Sequence, residues 1–162
     1  IRGKATKIID TSDFTARSLR EAIKRNYAEL LQEEKMLVTI VSFGFKHGIP
    51  LDADLVFDVR FLPNPHYVDS LRMLNGNQAE VAGYVLKWPL ATRFLAKLYD
   101  FMDFLGPQYV KEGKANLIVA IGCTGGRHRS VTIANKLGDF LRTKGYRVMV
   151  DHRDINKPHV EA

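Results

Sequence analysis

The sequence predicts an α/β domain with a mainly parallel sheet flanked by helices, and three observations carry that reading. Short apolar runs rich in β-branched residues recur at Met36 to Val41, Leu117 to Ile121 and Tyr146 to Val150. Between them lie segments whose apolar residues repeat at helical spacing, the alternation expected of strand, crossover helix and parallel strand. One junction, Leu117 to Lys144, reads strand, glycine-rich loop and helix without interruption. Ligand crevices in such sheets lie at the carboxyl ends of strands.

Taken in order, Lys7 to Asp10 reads as a short strand, and Thr11, Ser12 and Asp13 offer caps for a helix from about Thr15 to Glu34. Leu19, Ile23, Tyr27, Leu30 and Leu31 mark its buried stripe. Lys35 to Phe45 reads as a buried strand, followed by a loop punctuated by Gly48 and Pro50. Leu55 to Leu62 is the next strand. It places Asp58 and Arg60 on one face, either as an internal ion pair ordering a cleft wall or as direct ligand contacts. Pro63 to His66 then turns the chain.

Asp69 to Gly76 reads as a short helix or loop, and Gln78 to Leu86 and Leu90 to Leu105 read as helices separated near Trp88-Pro89. Gly106-Pro107 is expected to interrupt the second before it resumes to about Lys111. Gly145 closes the last helix as a C′ glycine before the final strand, and Asp151 to Ala162 shows no periodicity.

The chemistry concentrates in the loop after Ile121, which reads GCTGGRHRS. Gly122, Gly125 and Gly126 permit close approach of a ligand to the backbone, and the loop N–H groups and helix start favour an anion. Arg127 and Arg129 add charge, Thr124 and Ser130 add hydroxyls, and His128 adds a group that titrates near neutrality. A phosphate ester is the natural guest. Cys123 and Arg129 also fit the C-x-x-x-x-x-R spacing of cysteine-dependent phosphatases, although the histidine usual before the cysteine is Gly122 here. Cys123 is thus either a nucleophile or a small residue at a strand end in a loop that only binds anions. His66 is either a donor to phosphate or sugar hydroxyl, or an exposed loop histidine.

Other classes are bounded by composition. The 162 residues suit one domain, and a formal charge of +6 with pI near 9.5 favours anionic partners without choosing between small phosphates and RNA. A single cysteine excludes an internal disulfide and a multi-cysteine zinc site, which points to the cytoplasm. His47, His152 and His159 lack metal-ligand spacing and are read as solvated, so no metal is expected. No apolar run approaches the roughly 20 residues of a membrane span, and no Gly-Lys pair sits in a Walker A motif. The abrupt start without Met reads as a fragment of a longer protein. A candidate RNA surface, Arg142, Lys144, Arg147 and Arg153 with His152 and Lys157 beside them, is interrupted by Asp151 and Asp154 and reads more readily as a solvated basic face.

Three motifs in order, SFGFKHGIP (Ser42 to Pro50), DADLVFDVRFLPNPH (Asp52 to His66) and AIGCTGGRHRSV (Ala120 to Val131), resemble the C-terminal domain of the RNase adapter RapZ family, also called YvcJ-type nucleotide-binding proteins. The resemblance covers about Lys7 to Arg153. It implies a fold similar to a phosphofructokinase subdomain, with residues 13–154 as the sensor domain, 155–162 as a tail, and 1–12 as a first strand or the end of a missing N-terminal P-loop domain. It implies ATP or GTP in that missing domain and no cofactor or catalysis in this one. It further implies a homo-oligomer that senses glucosamine-6-phosphate and, in enterobacterial members, binds a small regulatory RNA and presents it to an endoribonuclease. By motif position the ligand residues are His66, Thr124, Gly125 and Arg129, with Cys123, Gly126, His128 and Ser130 lining the same loop. The nearly balanced tail departs from the basic run of enterobacterial members.

Overall fold

A computed structural model describes residues 12–31 and 36–158. The chain divides into two units, residues 1–35 and 36–162. In the first, helix α1 spans Ala16–Leu31. Its cap is Thr15, whose Oγ1 accepts from Ser18 N at 3.2 Å, rather than one of the three residues offered at 11–13. Ile23 of the expected buried stripe is exposed; the strand expected at Lys7 to Asp10 and the side chains of Tyr27, Leu30 and Leu31 lie outside what is described.

The second unit is a four-stranded, all-parallel sheet in the order β2-β3-β1-β4, comprising β1 (Leu37–Gly44), β2 (Leu55–Asp58), β3 (Asn116–Cys123) and β4 (Arg147–His152). The helices are α2 (Ala79–Leu86), α3 (Pro89–Glu112) and α4 (Arg129–Thr143). Helix α4 packs on β1, β3 and β4 and against α2 and α3. Val38, Ile40, Leu117, Val119, Ile121, Ile133, Leu137 and Leu141 are fully or almost fully buried between them. The near-continuous apolar reading of the two central strands follows from this burial.

Two expectations need correction. The strand foreseen over Leu55 to Leu62 stops at Asp58, because Asp58 Oδ1 accepts from Arg60 N at 2.8 Å and turns the chain. The last tie to the sheet is Val59 N to Gly122 O, 2.8 Å. Helix α3, by contrast, runs through Pro107 without a break. A helical proline costs about 3 kcal/mol, but the face bearing Leu98, Met102 and Gly106 is buried, and Gly106 lies so close to Tyr146 that a Cβ there would sit 2.2 Å from its hydroxyl oxygen. Packing therefore overrides the local penalty. At the end of α4 the expected glycine cap is present. Tyr146 N donates to Leu141 O at 3.2 Å and Gly145 N to Arg142 O at 3.0 Å, with Gly145 at φ 85°.

Candidate functional site: an anion loop at the strand ends

The carboxyl ends of β1, β2 and β3 finish side by side at Gly44, Asp58 and Cys123, as the registers Gly44 to Cys123 and Asp58 to Gly122 require. The loop Thr124 to His128 leaves this edge and enters α4 at Arg129. Its backbone is pressed against β1. A Cβ on Gly44 would lie 2.6 Å from the Gly125 carbonyl carbon, and one on Gly126, at φ 76°, would lie 2.6 Å from Gly44 N. Only glycine fits both positions. Gly125 differs, for the nearest atom to a Cβ there is Lys46 Cε at 3.8 Å, an ordinary contact. The loop thus has a packed inner face and an open outer one.

The inner face is held by side chains. Cys123 is buried, its Sγ 3.1 Å from Ser130 Oγ and accepting from Gly126 N at 3.3 Å. Arg129 is only 4 % exposed. Its Nη1 donates to Arg60 O at 2.6 Å and Leu62 O at 2.9 Å, and its Nη2 to Thr124 Oγ1 at 3.2 Å. Among the described residues its Nε has no hydrogen-bond partner, although the atom is buried. Burial pushes this guanidinium below its ordinary pKa, against the pull of Cys123, Asp58 and Tyr67. A buried cation with one N–H unused is a standing demand for an acceptor.

The opposite wall is the segment 64–78. Asn64 Oδ1 accepts from His66 N at 3.2 Å and caps the single turn Pro65–Tyr67. His128 is buried, its Nε2 3.2 Å from Arg72 O and its ring centroid 6.5 Å from that of His66. Arg127 Nη2 donates to Met73 O at 3.1 Å, and Gly76 N donates to Arg127 O at 2.8 Å. The wall bearing His66 is therefore stitched to the loop by backbone carbonyls and amides. Arg60 chelates Asp58 through Nε and Nη2, the shortest contact being 2.7 Å, and its guanidinium stacks 4.0 Å above the Phe45 ring. The hydrogen bonds from Arg60 are the largest influence on the Asp58 carboxyl, which is held below its ordinary pKa. The ion pair of the first reading is formed, with both side chains about half exposed rather than internal.

Two residues that the sequence did not place at this site complete the edge. Asp154, in the stretch without periodicity, is fully buried and accepts from Gly44 N at 2.8 Å, from Arg153 at 2.8 Å and from Lys157 at 2.6 Å. Despite burial, these donors hold its carboxyl down at about 2. A carboxylate flanked by an adjacent arginine and a lysine three residues on was the available signal. The second is Lys46, whose backbone N donates to Thr124 O at 3.3 Å. It lies two residues beyond the end of β1, and its position in SFGFKHG was its only mark.

His152 requires a correction. It is not solvated but half-buried, with Nδ1 2.7 Å from Ser42 Oγ and Nε2 3.1 Å from Asn135 Oδ1; burial pushes its pKa down, against the pull of Asp151. His159 lies outside the described residues. The four candidate RNA residues do not form one patch. Arg142 pairs with Asp139 and Lys144 with Asp103, whereas Arg153, at the other end of β4 from Arg147, pairs with Asp154 and donates to Gly48 O. Six strand residues separate the two ends of β4, about 20 Å. Among the described residues no three His, Cys, Asp or Glu side chains converge as a metal site, and no helix is long and apolar enough to cross a membrane.

Against this geometry, residues 36–156 match the family model described as the RapZ C-terminal domain. The chain belongs to that family. Its relatives include a protein of Halothermothrix orenii, 54% identical over 158 residues, covering 97% of this chain and 56% of that protein. Others come from Alkaliphilus oremlandii, 53% identical with 96% and 54% covered, and Clostridium novyi, 54% identical with 97% and 54% covered. All three carry the name nucleotide-binding protein. The chain spans about half the length of the curated relatives it matches.

Proposed function

We propose that this RapZ C-terminal domain is a regulatory binding module that senses a phosphorylated amino sugar of the glucosamine-6-phosphate kind at the loop Cys123 to Ser130. The observation that carries the reading is the pairing of an open approach at Gly125 with a buried Arg129 whose Nε has no acceptor among the described residues. A phosphate monoester carries close to two negative charges at neutral pH and offers three acceptor oxygens. Loop amides and Arg129 take those oxygens, Thr124 adds a hydroxyl, and His66 closes the cleft from the stitched wall and reads phosphate or sugar hydroxyl. Cys123 serves by packing: its sulfur accepts the Gly126 amide and shapes the loop, and the module is read as one that binds without turnover.

In the whole protein this domain answers to an N-terminal domain that binds ATP or GTP, in a cytoplasmic homo-oligomer. Delivery of a small RNA to an endoribonuclease would be an output of that assembly. The phosphate reading is preferred for this chain because three of the four candidate RNA cations already pair with carboxylates. Calorimetric titration with glucosamine-6-phosphate, glucosamine and inorganic phosphate tests it. Tight binding of the sugar phosphate is expected, weakened by about 2 kcal/mol or more in Arg129→Ala. Since Arg129 also braces two carbonyls, Gly125→Leu serves as a second variant that blocks the approach and leaves those bonds in place. Undiminished affinity in both variants contradicts the assignment.

A further inference from the structure

The cation Lys46 stands over the open side of the loop. Its backbone is fixed, because its N–H donates to Thr124 O and the preceding Gly44 is clamped between Asp154 and the Gly125-Gly126 peptide. Its side chain is exposed, and its Cε would lie 3.8 Å from a Cβ placed on Gly125. Most other cations at this edge are already engaged: Arg60 chelates Asp58, Arg153 and Lys157 share Asp154, and Arg127, which has no carboxylate partner among the described residues, is turned by its Nη2 to Met73 O. Among the described residues Lys46 has no carboxylate within ion-pair distance. A flexible ammonium with three donors, rooted on the loop and lacking a counter-charge, is suited to close on an anion that enters there.

We infer that Lys46 is a phosphate-binding residue of this site, closing over Gly125 as the second cation opposite Arg129. The inference rests on the sugar-phosphate reading above and deepens it: the site takes a dianionic phosphomonoester, held between a rigid buried guanidinium and a mobile ammonium. Arg129 supplies fixed geometry. Lys46 supplies the second charge.

The test uses the 162-residue chain and three variants, Lys46→Met, Lys46→Arg and Arg129→Ala, titrated with glucosamine-6-phosphate and with inorganic phosphate at low and high salt. Lys46→Met keeps most of the stem and the backbone bond to Thr124, so its unfolding midpoint stays at the wild-type value. Its affinity for both probes falls about tenfold, as for loss of a charge-assisted contact, and its salt dependence becomes shallower. Lys46→Arg restores affinity to within a few-fold of wild type. Wild-type affinity in Lys46→Met, with binding lost in Arg129→Ala, overturns the role of Lys46 and leaves the sensor reading standing. Failure of the wild-type chain to bind either probe overturns both.

Discussion

The two faces of the Cys123 to Ser130 loop teach different lessons although they belong to one short stretch of chain. On the inner face Gly126 touches Gly44 and Asp154, Cys123 meets Ser130, and Arg129 ties Arg60 and Leu62 to the helix start. On the outer face a Cβ on Gly125 would meet, among the described residues, the end of Lys46 at 3.8 Å. The first face makes the shape, and the second is the face we propose receives the ligand. The same residue type, glycine, is therefore required at 126 for steric reasons, whereas at 125 only the proposed ligand approach asks for it.

The sharpest way to break this contrast is to add a methyl on either side. Gly126→Ala forces a Cβ into Gly44 N at a positive φ, and we expect a loss of roughly 2–4 kcal/mol in denaturant unfolding, with binding lost alongside. A stability within 1 kcal/mol of wild type would contradict the packed inner face.

Asp154 supports that face from below. Asp154→Asn removes the charge that three donors share, and about 2 kcal/mol of stability should go with it. The pH dependence has a definite sign. The carboxyl sits at about 2 in the folded chain against an ordinary value of 3.8, so its contribution is complete above about 4 and is lost as pH falls toward 2. The acid limb of an unfolding series between pH 4 and 2 should flatten in the variant. An unchanged limb would show that the ion triad contributes nothing.

Smaller effects separate packing from chemistry. Cys123→Ser keeps a small acceptor for Gly126 N, so we expect about 1 kcal/mol of destabilisation and sugar-phosphate affinity within threefold of wild type. Phosphomonoester hydrolysis by the wild-type chain that disappears in this variant would instead make Cys123 a nucleophile. The smallest stability change belongs to Gly125→Ala, within about 0.5 kcal/mol, since its Cβ meets only a flexible lysine tip. A bulkier Leu at the same place should abolish binding while leaving the unfolding midpoint near wild type.

Much of this was legible before any coordinates. Alternating β-branched runs and helical stripes gave the parallel sheet, and the glycines with Arg129 and Ser130 marked the loop, because those patterns follow from local geometry. The missing parts depend on contacts distant in sequence. Asp154 reads as one charge in a balanced tail, and only its approach to Gly44, 110 residues away, makes it structural. His152 reads as a solvated histidine until Ser42 and Asn135 close around it. Pro107 reads as a break until Tyr146 packs on Gly106. The end of β2 at Asp58 was misread for a local reason, since a side chain that captures the next-but-one amide is indistinguishable in sequence from one that faces a cleft.

The central claim is that the outer face of the loop receives the phosphate, and amide chemical-shift mapping during titration with glucosamine-6-phosphate tests it most directly. The account predicts that the largest perturbations fall on Lys46 and on Thr124 to Arg127, with a smaller response at His66, and that glucosamine without phosphate leaves them in place. Perturbations centred elsewhere, at Arg147 and the amino end of β4 for example, with the loop amides unmoved, would contradict it.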